Sequence, residues 1–380
     1  KIAIEARPIK WSYGTGIGNY TYCLIQKLAE VDRGNDYAFL WPDTGDTAEL
    51  PFPRSHGIYN LPKDDEREEF EIPLWLAKER VDLFHLPQNG FRIPQAKTCK
   101  IVVTIHDLIP YFLPEMVRPS FLKRFTREMP YIVERADQIV TVSEASKRDI
   151  ISVFGIEPAK ITVLPSAPSA AYRPLSPEAT RRRLASTYGI KRRFILYVGG
   201  LNPRKNVAEL IQAYAKINRE LRDGQQLLIL GPECKHRFRL QLLAEALGLK
   251  DRVIFPGFVA NDDLPLFYNG ADLFVYPSLY EGFGLPPIEA MACGTPVITS
   301  NVSSLPEVVG QAALQFAPDD TLQLAESIFR VLDDLTLRRL LITKGLERSA
   351  NYSWDRIARQ MLNLYQTVVN DVSSPTAVGQ

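Results

Sequence analysis

No run of apolar residues in this 380-residue chain approaches the length needed to cross a bilayer. Neither charge is in excess: 45 Lys and Arg face 44 Asp and Glu, a formal net charge of +1. A dedicated nucleic-acid binder would carry a basic surplus, so nucleic acid is not expected as a partner. Cysteine is scarce. Cys23, Cys99, Cys234 and Cys293 are widely spaced without a CxxC pair, which argues against a disulfide framework and leaves buried free thiols as the expectation. There is no Cys/His zinc pattern and no Gly-x-Ser-x-Gly elbow. No Asp-x-Asp occurs either. The adjacent pairs Asp262-Asp263 and Asp319-Asp320 stand near expected helix starts, where acids offset the helix dipole. Short internal repeats and low-complexity tracts are absent. The chain opens on the strand-like Lys1–Ala6 rather than on a basic start followed by an apolar core, so no signal segment is expected, and a cytoplasmic location follows.

Hydrophobic residues make up 46% of the chain and charged ones 23%, enough for a sizeable core in two or three domains. Strand-like and helix-like runs alternate. Strands are expected near 1–6, 36–41, 81–85, 100–105, 138–142 and 161–164, with helices near 17–31, 66–79, 119–134 and 144–154. From 165 to 193 the rhythm breaks, with Pro165, Pro168, Pro174 and Pro177 among Ser and Ala, a composition that reads as a linker. Strands resume at 194–198, 226–230, 252–255, 272–276, 296–299 and 312–316. Three helices close the chain near 319–333, 335–350 and 354–369. Repeated βα units imply parallel sheets with helices on both faces. Two such sets imply two Rossmann-like domains facing across a cleft: 1–170, then a linker at 171–193, then 194–353.

The most informative string is Glu281-Gly282-Phe283-Gly284-Leu285-Pro286-Pro287-Ile288-Glu289. It follows the apolar run Asp272–Pro277 and precedes a helical run ending at Cys293-Gly294, so it sits where a strand becomes a helix. Open α/β sheets bind ligands at such places. Gly282 and Gly284 permit close backbone approach, the prolines suit a helix start, and the helix N–H groups suit an anion or a sugar oxygen. Two carboxylates eight positions apart can grip two parts of one ligand. Gly199–Asn206 follows the first strand of the second set, and Arg204 and Lys205 there can neutralise a pyrophosphate. In the first set, Gly14-Thr15-Gly16-Ile17-Gly18 precedes a helix, and His106-Asp107 ends the strand 101–105.

This constellation resembles the retaining glycosyltransferases of family four, and the resemblance spans nearly the whole chain. It implies the α/β GT-B fold, in which the last helix, here 354–380, crosses back onto the N-terminal domain. It implies a nucleotide-diphosphate sugar, UDP- or GDP-linked, as co-substrate, no other cofactor, and a lipid-linked, polysaccharide or small-molecule acceptor. By the same resemblance Arg204 and Lys205 hold the diphosphate, and Lys205 stabilises the leaving nucleotide. Glu281 lies by the sugar ring, Glu289 accepts from the ribose hydroxyls, and the backbone at Phe283, Gly284 and Leu285 supports sugar or phosphate. Val259 meets the base, Gly16 matches the family's loop glycine, and His106 contacts the transferred sugar. The sequence departs from many members in lacking an arginine near Gly200. Without an Asp-x-Asp motif, no metal is expected at the diphosphate.

Two other readings stay open on the residues alone. A nicotinamide-dependent oxidoreductase could use the Gly14–Gly18 loop with Asp43 as its ribose acid, though this leaves Arg204, Lys205, Glu281 and Glu289 without work. A non-catalytic nucleotide-sugar binding module is the other. Segment 118–135 carries Arg118, Lys123, Arg124, Arg127 and Arg135 against Glu128 and Glu134, with Phe121, Leu122, Phe125, Met129 and Ile132 roughly on one face. It reads as an amphipathic surface helix, or as a peripheral contact with an anionic lipid face at the inner side of the membrane.

Overall fold

The structure, a computed structural model, describes residues 1–12, 16–42, 58–61, 65–221, 224–257 and 259–371. It divides into two compact units, Lys1–Ser166 with Ser353–Gln380, and Ala167–Tyr352.

The first unit is built on seven strands: β1 (Ile2–Glu5), β2 (Tyr37–Pro42), β3 (Ile58–Leu61), β4 (Leu83–Leu86), β5 (Lys100–Ile105), β6 (Gln138–Thr141) and β7 (Ile161–Val163). Their order is β3-β2-β1-β4-β5-β6-β7, and every neighbouring pair is parallel. The order reverses between β1 and β4. Strands β1, β2 and β4 are buried along their whole length, as strands covered on both faces must be, which is why they read as continuous apolar runs rather than alternating ones. The helix Trp354–Asn370 buries Trp354, Ile357, Ala358, Met361, Tyr365 and Val368. It packs on the helix Gly16–Val31 and on β5. His85, at the end of β4, fastens it. Its Nδ1 lies 2.7 Å from the Tyr365 hydroxyl and its Nε2 2.8 Å from Thr104 Oγ1. Burial lowers the ring's pKa to about 3, so this histidine is a neutral structural link.

The second unit has six strands: β8 (Phe194–Val198), β9 (Gln226–Leu230), β10 (Val253–Ile254), β11 (Leu273–Tyr276), β12 (Val297–Ser300) and β13 (Ala313–Phe316). Their order is β10-β9-β8-β11-β12-β13, again parallel throughout. Here the order reverses between β8 and β11. Asp272 ties this region down: Arg193 Nε bonds its Oδ2 at 2.7 Å, and Arg338 Nη2 its Oδ1 at 3.1 Å.

Three sequence expectations need correction. The linker at 171–193 contains a helix, Pro177–Tyr188, that belongs to the second unit. Pro177 stands at the helix start, where a missing N–H costs nothing, and Gly189 closes it with φ +69°. The proline cluster was therefore punctuation around a helix, and the helix packs on Leu264–Gly270. Strand β3 was not anticipated, because four residues, Ile-Tyr-Asn-Leu, carry too little pattern. Of the cysteines, Cys99 and Cys293 are buried, but Cys23 is half-buried and Cys234 exposed. Cys234 is the residue preceding a helix rather than part of its interior.

Candidate active site

In the second unit the two strands that flank the reversal, β8 and β11, each end in a loop that carries charge. The β8 loop runs through Gly199 to a short turn of helix at Pro203–Lys205. The β11 loop runs from Pro277 to Gly284, where the helix Leu285–Ala292 begins. A crevice at such a reversal is the general ligand position in open parallel sheets. The two loops are stitched together: Leu279 N donates to Arg204 O at 2.8 Å, and Arg204 Nη1 donates to the Tyr280 carbonyl.

The side chains converge. Lys205 Nζ donates to Glu281 Oε1 at 2.5 Å and to the Tyr276 hydroxyl at 2.7 Å. Arg204 Nη1 lies 3.2 Å from the same Glu281 oxygen. Burial by itself would raise the Glu281 pKa, but the Lys205 and Arg204 charges outweigh it and hold the carboxyl at about 2. Glu281 is thus ionised at any physiological pH, and the two cations are held side by side. The backbone of this turn is fixed as firmly. Glu281 N donates to Ser303 Oγ at 2.8 Å, and Ser304 Oγ donates to the carbonyls of Glu281 and Phe283 at 2.9 and 2.7 Å. Ser303 takes φ +50° to do so, an uncommon conformation for a residue with a Cβ. Gly284 has φ +104°, which a residue with a Cβ rarely adopts, and a Cβ there would also force Leu305 Cδ2, 2.6 Å away, to shift. Glycine is therefore required where strand becomes helix.

Glu289 lies one turn into that helix and has a different environment. It is buried, and the Tyr268 hydroxyl donates to its Oε2 at 2.9 Å. Among the described residues no cation pairs with it. Burial raises its pKa to about 7, against the opposing hydrogen bonds from Tyr268 and Tyr172. The two glutamates of one string are thereby split into a permanent anion and a carboxyl that titrates near neutrality.

In the first unit, His106 follows β5. Its Nε2 donates to the Pro87 carbonyl at 2.8 Å, and its backbone N donates to Asn89 Oδ1 at 2.9 Å. Tyr20, from the helix that begins at Gly16, meets the ring edge-on at 4.9 Å. Burial lowers the histidine's pKa to about 4, opposed by the Pro87 contact. The ring is neutral at pH 7, and the carbonyl fixes the proton on Nε2, which makes Nδ1 the acceptor. A Cβ at Gly16 would meet nothing within 4 Å, whereas one at Gly18 would lie 2.2 Å from the Ser12 carbonyl oxygen. The open glycine is thus Gly16, while Gly18 serves close packing against the turn before it. Gly14, Thr15 and Asp43 lie outside the described residues.

The structure therefore brings Arg204, Lys205 and Glu281 into contact and sets Phe283, Gly284, Leu285 and Glu289 on the same turn and helix. It links His106 to the Gly16 helix through Tyr20. Among the described residues no hydrogen bond or ring contact joins Val259 to these groups. Four participants had no sequence signal: Tyr276, Ser303, Ser304 and Tyr268. Among the described residues no cluster of three His, Cys, Asp or Glu is placed to hold a metal ion, and no helix is long and apolar enough to cross a membrane.

The chain is similar to known proteins over nearly its whole length. Residues 183–348 match the model of the glycosyl transferases group 1, and residues 14–167 that of glycosyltransferase family 4. The O-antigen chain mannosyltransferase B of Escherichia coli is 31% identical over 96% of this chain and 99% of its own length. The serotype-specific mannosyltransferase WbdA of the same organism is 34% identical over 74% of this chain, which spans 35% of that longer protein. Among solved structures, sucrose-phosphate synthase from Thermosynechococcus elongatus superposes with a TM-score of 0.78 at 25% identity, covering 97% of this chain and 98% of that one. Anabaena HepE in complex with UDP and glucose gives 0.74 at 18% identity, covering 96% and 99%.

Proposed function

The chain belongs to the family-four glycosyltransferases and has their two-domain GT-B fold, and from that premise we propose that it moves a hexose from a nucleoside-diphosphate sugar to an acceptor hydroxyl with retention of configuration. The observation that carries this reading is the contact of Lys205 and Arg204 with Glu281 at the reversal of the second sheet. Two cations held side by side by one ionised carboxylate form a preorganised seat for a diphosphate, where charge grows as the sugar bond breaks. Glu289, on the following helix, takes the ribose hydroxyls. Glu281 orients Lys205 and faces the sugar, and the N–H groups of Phe283, Gly284 and Leu285 support it. Val259 is assigned to the base. His106 offers Nδ1 to a hydroxyl of the transferred sugar, beside Gly16.

In the reaction the bond from the anomeric carbon to the phosphate oxygen breaks and a bond to the acceptor oxygen forms. The acceptor's proton passes to the departing phosphate. A displacement on the face the phosphate leaves gives retention without a covalent nucleophile on the protein. Mannosyltransferase relatives support mannose as the sugar and a growing polysaccharide as the acceptor. A panel of UDP- and GDP-hexoses, GDP-mannose included, tests this through release of the nucleoside diphosphate. One donor is expected to be consumed faster when a mannose-containing oligosaccharide is added; consumption of none would contradict the reading.

The same chemistry assigns the work of a divalent cation to Lys205 and Arg204. Activity is therefore expected to survive EDTA. Complete loss that magnesium or manganese restores would show that a metal bridges the diphosphate.

A peripheral membrane contact at the cytoplasmic face is the remaining part of the proposal. The helix Pro119–Arg135 spends its apolar stripe on the core, burying Phe125, Met129, Ile132 and Val133. Phe121, Arg118, Lys123 and Arg127 stay exposed, so attraction to lipid would be mainly electrostatic. Co-sedimentation with vesicles rich in anionic lipid is expected at low salt and should fall steeply as salt is raised. Equal binding to neutral vesicles would contradict it.

A further inference from the structure

Among the described residues no cation pairs with the Glu289 carboxylate, and two tyrosines face it. Tyr268, on the helix Leu264–Gly270, is fully buried, and its hydroxyl meets Oε2 at 2.9 Å. Tyr172 packs edge-on against Tyr268 with ring centroids 5.7 Å apart and contributes a second hydrogen bond to the carboxylate. The segment bearing Tyr172 is pinned to the same helix. Leu175 N donates to Asn269 Oδ1 at 2.7 Å, and Asn269 Nδ2 donates to the Arg173 carbonyl at 3.0 Å. The remaining titratable neighbour is Cys293, one turn along Glu289's own helix, where burial pushes the thiol up to about 12. It stays protonated and cannot compensate the acid.

We propose that Tyr268, with Tyr172 behind it, is the positioning residue of Glu289: the two hydroxyls hold the carboxylate in one orientation and in its ionised form for the donor's ribose. This rests on the assignment of Glu289 to the ribose. A carboxylate has about four acceptor sites. Two tyrosine donors leave two for a vicinal diol, and they fix the plane in which those two point. Both hydroxyls favour the anion over the neutral acid, and among the described residues no cation does so. The ionisation that ribose recognition needs is therefore set by these tyrosines against the cost of burial. The Tyr268 hydroxyl is itself a safe donor, because burial pushes its pKa far upward.

The sign of the effect follows. Burial holds the proton on Glu289 up to a pH near 7, well above an ordinary carboxyl. Nucleotide affinity owed to Glu289 should therefore be present above that range and disappear as pH falls through it. Removing a hydroxyl that favours the anion moves the transition to higher pH.

The test is calorimetric titration with UDP and with GDP, from about pH 5 to about pH 9, on the wild type and on Glu289→Gln, Tyr268→Phe and Tyr172→Phe. The diphosphate itself titrates, so the Glu289→Gln profile serves as the baseline. At the alkaline end Glu289→Gln is expected to bind about tenfold or more weakly. That difference should vanish on acidification in the wild type. In Tyr268→Phe it should vanish about one unit higher, because a hydrogen bond to a charge is of that size. Tyr172→Phe should shift it the same way, and it serves as the test if Tyr268→Phe does not fold. A merely structural tyrosine would weaken binding equally at every pH. If Glu289→Gln binds as well as the wild type at every pH, the ribose assignment itself is overturned. If Glu289 matters but the midpoint is the same with and without the tyrosine hydroxyls, only the positioning role is overturned.

Discussion

Lys205→Ala is expected to lower kcat by about a hundredfold to a thousandfold while donor affinity changes much less. The ammonium is worth most when charge accumulates on the leaving diphosphate, so its loss falls on the transition state rather than on the ground state. The structure adds a second consequence. Lys205 is the nearest of the two cations to Glu281, and without it the buried carboxylate keeps Arg204 alone. The Glu281 pKa should rise from about 2, and the turn that carries Phe283 and Gly284 loses an anchor. Measured kcat and KM separate the cases. A rise in KM with kcat unchanged would mean that Lys205 merely binds the donor.

His106→Ala is expected to cost about tenfold to a hundredfold in transfer, the range for leaving one polar partner unmade, with nucleotide affinity retained. The reason lies in its place in the fold. His106 belongs to the first unit, whereas the groups assigned to nucleotide and diphosphate all belong to the second. Because the ring is neutral, with its proton held by the Pro87 carbonyl, it should act as a hydrogen-bond acceptor and not as a general acid. The variant's pH profile should therefore keep the wild-type shape above about pH 5, since the wild-type ring titrates only near 4. A wild-type rate in His106→Ala would make the residue structural, like His85.

The parts of this site that could be read in the sequence share a cause. Buried parallel strands leave continuous apolar runs, and the loops after them leave glycine, proline and charge in short, dense strings. Residues 199–206 and 281–289 therefore announced their position at the turns after two strands and the charges they bring together there. What could not be read are the residues that act over long chain separations through a hydroxyl on an apolar body. Tyr276 looks like the last residue of a core strand, yet its oxygen meets Lys205, 71 positions away. Tyr268 looks like one more buried aromatic on a short helix, and only the fold brings it to Glu289. The split between the two glutamates was equally hidden. Spacing placed them on one string, but the cations beside Glu281 and their absence beside Glu289 are facts of packing. The helix Pro177–Tyr188 was missed for the opposite reason. Its start is marked by the residue that elsewhere breaks helices.

Retaining transfer from a nucleotide sugar at the Lys205–Glu281 site is the proposal on which the rest depends. Its most direct test follows the anomeric proton of donor and product by NMR, with EDTA present, for the wild type and Lys205→Ala. A product with the donor's anomeric configuration is expected from the wild type, and almost none from the variant in the same time. An inverted product, or equal product from both proteins, would contradict it.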